Sequence, residues 1–537
     1  MQSIELKQVT VLGMLAHRIL RNSMRLESGK YQPDRVYQAE NCEWPADWEG
    51  RVLLAQTRIL EDSHREPSFM REIFEGVYAR FNKKGYLGPI LPDGEFNEQQ
   101  LSGHNWLLRA LLEYRRLTGD KAAENAAYTI VRNLYLPLRG GAYARYAVQP
   151  EKRVFQGNPD GCLTGDCVDG WYLSTDIGCA YMCLDGLSAA YRDLDIPELK
   201  GLLEEMIEEF GKIDFVGLSM QTHATLSGIR GILNFYRSTG EGKYLELAKC
   251  LFHLYLSEGM SENYGNYNWF QRPLWTEPCA IVDSYMAAME LYRITEEIPY
   301  FEVAQKIYLN ALGHAQRING GFGCDNCVGA ESPFLTVHGN GVDAFWCCSM
   351  RGGEGLAEVC RSIALEKDGI LHIGFYNPCE IRWKDAVVTL KTGYPAQGHV
   401  ELKVVGSMEK LGLFLPSYAQ TAKVTVNGVE TACEKKNGFL LVPLGGGDCQ
   451  VTLDFSIPLL EEKVINKNSL QGYHSFSHGF LMLGVESQSE HQLAGELLHD
   501  EGACYHAGEL KFRPLDDTYR INLKDLKDRK LQVLFRR

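Results

Sequence analysis

Three stretches of the chain share one pattern: Tyr114-Arg-Arg-Leu-Thr-Gly-Asp120, Phe235-Tyr-Arg-Ser-Thr-Gly-Glu241 and Leu291-Tyr-Arg-Ile-Thr-Glu-Glu297. In each of them an arginine stands two positions before the threonine. An alanine stands nine positions after each threonine, at Ala127, Ala248 and Ala304. A basic last turn, a short polar turn and a small residue in the helix that follows are typical of a helical hairpin. We predict that about six such hairpins close into an (α/α)6-type barrel.

The spacing of apolar residues changes near residue 370. It is helical from about residue 12 to residue 368, and after residue 369 short alternating stretches are separated by turn residues such as Asn427-Gly428. Residues 1–11 also contain an alternating stretch that could add a strand to the β domain. The predicted fold is therefore α+β and multidomain: an (α/α)6 catalytic barrel over residues 12–368, followed by an antiparallel β-sandwich accessory region over residues 369–537.

Composition and charge narrow the classes of partner. The chain has 537 residues, a net charge of −14 and no apolar run near the ~20 residues of a membrane span. An acidic balance argues against nucleic acid and anionic membranes as main partners. The N terminus lacks the pattern of a secretory signal, so we expect a cytoplasmic protein whose 16 cysteines are mostly thiols or metal ligands.

The cysteines are densest between residues 324 and 348. Adjacent cysteines such as Cys347 and Cys348 rarely form a disulfide, because the ring would strain the peptide between them, so a shared soft cation is favoured over a bond. Zinc takes four ligands from Cys, His and carboxylate groups. Two sets could complete the four ligands: Cys324 with Cys327, or Glu277 with Cys279. Spacing alone slightly favours the first set, because it forms a Cys-x-x-Cys motif. The alternative is that these cysteines are ordinary buried thiols that bind no metal.

Several motifs occur together in a recognisable order: Trp275-Thr-Glu-Pro-Cys-Ala280, Phe345-Trp-Cys-Cys348 and Gly369-Ile-Leu-His-Ile-Gly-Phe-Tyr376. In these the sequence resembles glycoside hydrolase family 127, the zinc-dependent β-L-arabinofuranosidases and their relatives. The resemblance extends over about residues 85–485 and is strongest at the Glu-x-Cys and Cys-Cys motifs. It implies an (α/α)6 barrel followed by β-sandwich modules, in agreement with the fold predicted above.

The resemblance also implies the metal ligands and the nucleophile. Zinc would be held by Glu277, Cys279, Cys347 and Cys348, in place of the Cys-x-x-Cys grouping, and Cys347 would be the nucleophile. A free thiol is mostly protonated at neutral pH, whereas a metal-bound thiol is deprotonated. Attack by this sulfur on the anomeric carbon would give a thioglycosyl intermediate, which water would resolve with retention of configuration.

The proton donor for the leaving oxygen is predicted less directly. In the family it is a glutamate sixteen residues before the coordinating glutamate, a position that Ser261 occupies here. Glu262 lies one residue closer to Glu277 and is our candidate for the general acid/base, with Glu258 as the second candidate. Burial beside aromatic residues is expected to raise the pKa of such a carboxyl group.

The resemblance further implies substrate-binding residues. His104 and His223 stand near helix starts, where the family places histidines that bind sugar. Tyr264 and Trp269 belong to an aromatic-rich segment before the coordinating glutamate, and aromatic faces suit the apolar side of a sugar ring.

Taken together, these features predict a retaining glycosidase that acts on terminal β-L-arabinofuranosyl or related residues of an oligosaccharide or glycoside. Two alternatives remain open. One is a non-catalytic, carbohydrate-binding protein in which zinc only fastens the barrel to the sandwich. The other is a different α/α-barrel sugar enzyme, an epimerase or an unsaturated-uronide hydrolase, that works without zinc. A homodimer is compatible with the sequence.

Overall fold

The structure is a computed structural model that describes residues 1–37, 44–63, 65–149, 151, 161–339, 341–515 and 520–537. Its helices, in chain order, are α1 Gly13–Leu26, α2 Pro33–Val36, α3 Asp47–Ser63, α4 Met70–Ala79, α5 Glu98–Thr118, α6 Lys121–Ile130, α7 Cys183–Asp193, α8 Glu198–Phe210, α9 Thr222–Thr239, α10 Gly242–Glu258, α11 Pro278–Thr295, α12 Ile298–Lys306, α13 Gly313–Ala315, α14 Cys348–Ile363 and α15 Leu523–Leu526. Helices α6 and α12 each run on into a π-helical turn, Val131–Tyr135 and Ile307–Leu312. No helix in these ranges combines the length and the hydropathy needed to cross a bilayer.

Within the described residues, six helices form a closed inner ring. Helices α3, α5, α7, α9, α11 and α14 each contact the next one, and α14 contacts α3. An outer helix follows each of the first five and packs against it, and α1 packs against α14. The predicted (α/α)6 barrel is confirmed, with the outer helix of the sixth pair supplied by the N-terminal segment.

The repeated threonines close the helical hairpins. The Thr118 hydroxyl donates to the carbonyl oxygen of Tyr114 at 2.7 Å and accepts from the amide of Asp120 at 3.2 Å. Thr239 and Thr295 make the same pair of bonds. One side chain therefore satisfies a carbonyl at the end of the first helix and an amide at the turn. In each hairpin the next residue takes a left-handed backbone, at Gly119, Gly240 and Glu296.

The strands lie mainly after residue 363. In chain order they are β1 Gln2–Ser3, β2 Val9–Val11, β3 Phe96–Asn97, β4 Leu163–Val168, β5 Trp171–Ser174, β6 Phe334–Leu335, β7 Ala364–Lys367, β8 Ile370–Ile373, β9 Cys379–Trp383, β10 Ala386–Thr392, β11 His399–Gly406, β12 Lys410–Phe414, β13 Ala422–Val426, β14 Val429–Glu430, β15 Glu434–Lys436, β16 Phe439–Pro443, β17 Cys449–Phe455, β18 Leu459–Lys463, β19 His474–His478, β20 Leu481–Glu486, β21 Leu498–His499, β22 Tyr505–Ala507, β23 Leu510–Pro514, β24 Leu531–Gln532 and β25 Leu534–Phe535.

Two of the sheets build the sandwich. One has the order β1-β7-β8-β12-β16-β15 and the other β14-β13-β17-β11-β10-β9-β2, so the N-terminal strands β1 and β2 each extend a sheet made by the C-terminal half. Strands β8 and β12 pair in parallel, in contrast to the antiparallel pairs around them. Asn427 and Gly428 both have positive φ and form the two-residue hairpin turn between β13 and β14, as their sequence predicts.

A further sheet forms a separate β unit near the C terminus. Its order is β18-β19-β20-β23-β22-β21, with β24, β25 and β6 attached, and it buries its own apolar clusters. The residues predicted as one sandwich thus form two β units. The buried Asn310 side chain fastens the second unit to the barrel, because its amide donates to the carbonyl of Phe480 at 2.9 Å and its oxygen accepts from the amide of Met482 at 2.8 Å.

Candidate metal centre and active site

The four residues implied as zinc ligands lie together at the amino-terminal mouth of the barrel. Glu277, Cys279, Cys347 and Cys348 each contribute one donor atom, and these atoms all lie within 4.8 Å of one another. The Sγ atoms of Cys347 and Cys348 are 3.3 Å apart, and those of Cys279 and Cys348 are 3.7 Å apart. Zn–S bonds of about 2.3 Å in a tetrahedral site put two sulfur atoms about 3.8 Å apart. The donor set and its spacing therefore fit a zinc ion.

Two helix starts bring these residues together. Glu277 is the N-cap of α11, with Pro278 in the first turn, and Cys347 is the N-cap of α14, with Cys348 as its first residue. Because α11 and α14 are neighbours in the inner ring, motifs some seventy positions apart in sequence meet at one point. The partial positive charge of the helix N termini stabilises anionic ligands there.

The three thiols differ in exposure. Cys279 and Cys348 are fully buried, whereas Cys347 is partly exposed. Burial raises the pKa of Cys279 and of Cys348 well above the usual range. For Cys347 the contact with Cys279 lowers the pKa, but the contact with Cys348 and burial raise it, and the net effect is a rise. Protonated thiols are poor ligands and poor nucleophiles, so these sulfurs need a cation to become thiolates.

Two polar side chains, His223 and Asn268, contact the Glu277 carboxylate and fix its position. His223 Nδ1 lies 3.2 Å from Glu277 Oε1 and His223 Nε2 lies 3.3 Å from Asp283 Oδ2. Asn268, with its amide turned to satisfy its partners, donates to Glu277 Oε2 at 2.8 Å. Burial alone would raise the pKa of Glu277, but the facing His223 outweighs this effect and brings the pKa below its usual value, so the carboxylate stays anionic. His223 itself is 1% exposed, so the structure places this predicted sugar ligand behind the metal site.

A buried charge network continues from His223 down the barrel. Asp283 accepts from the Ser227 hydroxyl at 2.6 Å and from Arg230 at 2.7 Å, and it also pairs with Arg351. Burial works against its ionisation, yet these arginines hold the pKa of Asp283 well below the usual range. Sequence reasoning missed this residue. The sequence signal was a single charge inside the mostly apolar stretch 280–289, a pattern typical of a paired buried charge.

Arg51 is a second residue that sequence reasoning missed. Its Nη1 lies 3.6 Å from Cys279 Sγ and its Nε donates to Asp47 Oδ1 at 2.8 Å. The guanidinium also lies 4.0 Å from the ring centre of Trp106, which is fully buried. A fixed positive charge thus stands beside the thiol cluster. In the sequence, the feature that could have drawn attention to Arg51 is its position directly before the apolar run 52–55 of α3.

The structure places His104, a predicted sugar-binding residue, in a buried position against the backbone. Its Nδ1 is 2.7 Å from the carbonyl oxygen of Gln100, and its Nε2 accepts from the amide of Leu87 at 3.0 Å. The ring has no exposed surface, and burial lowers its pKa to about 4. Because the backbone occupies both nitrogens, His104 is a neutral residue that fixes the loop before α5.

Both candidates for the proton donor face the C-terminal β unit. The Glu262 side chain hydrogen-bonds with Ser469, and that of Glu258 pairs with Lys467 at 2.7 Å and accepts from Asn468 at 3.2 Å. These contacts hold both carboxyl groups against the C-terminal β unit, and none of them involves a cysteine of the cluster. Burial raises the pKa of Glu262, as a general acid requires, so its role stays a prediction.

The two predicted aromatic residues lie in different places. Trp269 is fully buried, packs edge-on against Trp275 at 5.0 Å and lies beneath the Arg272 guanidinium at 4.5 Å. Trp269 also forms a β-bridge with Gln221, the N-cap of α9, so it stands close to His223. Tyr264 instead packs against the apolar cluster of the C-terminal β unit.

The Cys-x-x-Cys grouping is not assembled. Among the described residues, the candidate metal cluster contains neither Cys324 nor Cys327. The Cys327 thiol donates to the carbonyl oxygen of Asn266 at 3.4 Å. Cys324 is buried beside Cys348 and helps to raise the pKa of that thiol.

Comparison with known families adds evidence from sequence. Residues 370–452 match the model of the middle domain of β-L-arabinofuranosidase, glycoside hydrolase family 127. The resemblance to glycoside hydrolase family 127 is confirmed. The match to this family indicates a glycosidase. A search of curated proteins found no match.

Three solved structures share the fold over nearly the whole chain. One is described as a glycoside hydrolase, with 13% identity, a TM-score of 0.71 and coverage of 100% of this chain and 97% of that one. A family 127 β-arabinofuranosidase has 12% identity, a TM-score of 0.72 and the same coverage. A family 127 β-L-arabinofuranosidase from Geobacillus stearothermophilus T6 has 14% identity, a TM-score of 0.65 and coverage of 97% and 94%.

Proposed function

We propose that this protein is a retaining glycoside hydrolase that removes terminal β-L-arabinofuranosyl or related sugar residues, with Cys347 as a zinc-bound nucleophile. The observation that carries the proposal is the convergence of Glu277, Cys279, Cys347 and Cys348, whose donor atoms all lie within 4.8 Å of one another at the barrel mouth. The similar structures described as β-arabinofuranosidases suggest the class of sugar.

The difference in exposure selects the nucleophile. Cys347 is the one partly exposed sulfur among the three in the cluster, so a sugar can approach it from the mouth while the other two stay buried. Trp346, the preceding residue, is 39% exposed and packs edge-on against Phe345 at 5.1 Å. An exposed aromatic side chain on the residue before the nucleophile is suited to contact a sugar ring.

The proposed reaction has two displacements. A bound zinc ion would supply the charge that keeps the thiols deprotonated. The Cys347 sulfur attacks the anomeric carbon as the bond to the leaving oxygen breaks and that oxygen takes a proton. Water then attacks the same carbon and gives a proton back to the group that protonated the leaving oxygen. The carbon–sulfur bond breaks, which frees the thiolate and gives the sugar with retained configuration.

Glu262 is the candidate that gives the proton to the leaving oxygen, supported by its position near Glu277 in sequence and by its raised pKa. Glu262→Gln should slow hydrolysis of an alkyl arabinofuranoside by at least about 10²-fold. A nitrophenyl arabinofuranoside should be affected less, since nitrophenolate leaves without protonation. Glu258→Gln is the matched control, and equal losses in both variants, or none in either, would exclude the role of Glu262.

The position of the cluster argues against a purely structural zinc. A metal that fastens the barrel to the sandwich would take ligands from both domains, whereas all four ligands here belong to the starts of the inner barrel helices α11 and α14. The barrel and the sandwich are instead joined by aromatic packing, for example between Phe301 and Phe414 at 4.8 Å.

The test combines metal analysis with hydrolysis of p-nitrophenyl β-L-arabinofuranoside and related furanosides. We expect about one zinc per chain and activity that a strong chelator removes. Cys347→Ser should lower kcat by more than about 10³-fold, whereas Cys250→Ser, which changes an exposed cysteine outside the cluster, should not. Full activity in Cys347→Ser, or activity that survives complete loss of metal, would refute the proposal.

A further inference from the structure

We infer that the other end of the barrel carries a binding site for a small tetrahedral oxyanion, either free phosphate or sulfate or the phosphate group of a metabolite. A cavity of about 170 Å³ opens there among the inner helices. Along α11, Cys279 belongs to the metal cluster while Arg293 lines this cavity. Fourteen residues of helix at 1.5 Å per residue separate the two sites by roughly 21 Å.

Arginines dominate the wall of this cavity. Four carboxylates accompany them in the lining, and further carboxylates pair with the same arginines from just outside it: Glu61, Asp193, Asp283 and Glu354. Arginine forks bind phosphate and sulfate oxygens in pairs of parallel hydrogen bonds. The arginines are Arg58, Arg109, Arg192, Arg230, Arg293 and Arg361, and the carboxylates are Glu113, Asp185, Glu290 and Glu358.

The internal ion pairs leave donors unused. Arg109 and Arg230 share Asp185 at the floor, at 2.9 and 3.1 Å. Arg361, at the rim, has its carboxylate partner Glu61 at 2.7 Å. A guanidinium has five N–H donors. In the described part of the chain, Nε of the largely buried Arg293 has no hydrogen-bond acceptor.

The guanidinium groups also crowd one another. Burial lowers the pKa of Arg361, and the neighbouring Arg58 lowers it further. At the floor, burial lowers the pKa of Arg109 to about 10; Asp185 works in the opposite direction, and Arg230 adds to the lowering. An anion placed among these groups would relieve this repulsion.

The partial negative charge at helix carboxyl ends explains only part of this clustering of arginines. Helix carboxyl ends attract cations, but the effect falls off within the last turn. Arg109 and Arg230 each lie nine residues before the ends of α5 and α9. Non-specific anion binding is also disfavoured by the net charge of −14. The volume lies below the ≈ 300–1,000 Å³ of pockets for larger ligands and suits one oxyanion.

The test is calorimetric titration of the full-length protein with sodium phosphate at constant ionic strength. We expect a Kd of about 1 mM or tighter. Arg361→Gln should weaken binding by at least about fivefold, since it removes a charged, forked donor. Arg192→Gln, which changes a half-exposed rim residue, provides a second variant if the first does not fold. Arg382→Gln on the exposed face of β9 is the matched control and should bind as the wild type does.

Sulfate and a hexose 6-phosphate are titrated in parallel. If the hexose phosphate binds as tightly as phosphate, the ligand is the phosphate group of a metabolite, and if only the inorganic ions bind, the ligand is a free oxyanion. No binding of any of them, or binding that Arg361→Gln and Arg192→Gln leave unchanged, would overturn the inference.

Discussion

Four anionic ligands around one divalent ion leave two negative charges in excess, and a buried excess charge of this kind needs cations nearby. Arg51 stands beside Cys279, and His223 stands against Glu277 on the other side of the cluster. Burial opposes protonation of His223, but the Glu277 and Asp283 carboxylates raise its pKa. At the scale of single residues, the site is therefore a charge-balanced group of ligands and supporting side chains.

Removal of the Arg51 charge should weaken metal binding. In Arg51→Met the thiolates lose a cation 3.6 Å from Cys279 Sγ, and we expect zinc affinity to fall about 10- to 100-fold. Competition with a coloured chelator measures this affinity without reference to activity. Arg382→Met, at an exposed position of β9, is the control. Unchanged affinity in Arg51→Met would contradict the charge balance described above.

His104 should make the stability of the protein depend on pH. Its pKa is about 4 in the folded protein and about 6.5 in an unfolded chain. As the pH falls through this interval the unfolded chain binds a proton that the folded protein does not, so the free energy of unfolding decreases by about 1.4 kcal/mol per pH unit. Urea unfolding at several pH values should show a shallower dependence for His104→Gln.

His314, whose pKa burial also lowers to about 4, is expected to contribute to the slope that remains in that variant. KM for the glycoside should be little changed in His104→Gln, because the backbone occupies both ring nitrogens. A tenfold rise in KM with the pH dependence of the wild type would instead support His104 as a sugar ligand.

At the scale of elements, the hairpin ends decide where inner helices stop and outer helices start. Each hairpin places a threonine before a residue with positive φ. The threonine makes the same hydrogen bond whether that next residue is glycine or Glu296. The alanines nine positions after the threonines are fully or almost fully buried, at Ala127, Ala248 and Ala304. A small side chain there lets the outer helix approach the ring closely.

Gly240 and Gly242 allow a clean test of this turn. Neither has an atom within 4 Å of an added Cβ, but φ is +72° at Gly240, whereas Gly242 is the first residue of α10. Gly240→Ala should therefore lower the free energy of unfolding by about 1 kcal/mol through backbone strain alone. Gly242→Ala should be neutral or slightly stabilising. Equal effects in denaturant unfolding would contradict this explanation.

The barrel could be predicted from sequence because the hairpin pattern is local. The metal ligands could not be chosen from spacing, which slightly favoured Cys324 and Cys327, since it is the adjacency of α11 and α14 in the ring that brings Glu277 to Cys347. The family resemblance instead gave the grouping whose donor atoms lie together in the structure. Arg51 was missed because its contacts with Cys279 and Trp106 join different helices, and its ion pair with Asp47 on the same helix gives no sign of a nearby metal site.

At the scale of the whole molecule, the barrel has two chemically different ends. The helix N termini hold the thiol and carboxylate cluster, and the opposite end holds the arginine-lined cavity. Buried ion pairs through Asp283 and Arg230 run between them. The division of the C-terminal region into two β units was not predicted, because both units alternate apolar and polar residues with similar turn signals, and only the separate apolar clusters distinguish them.

The most direct measurement of the central claim is to identify the residue that a mechanism-based probe labels. The full-length, zinc-loaded protein is incubated with a cyclophellitol-type furanose probe of the β-L-arabino configuration, digested and mapped by mass spectrometry. We predict a single label on the Cys347 sulfur, blocked by free arabinofuranoside substrate. A label on a carboxylate, or no label on an enzyme that hydrolyses the corresponding glycoside, would contradict the account.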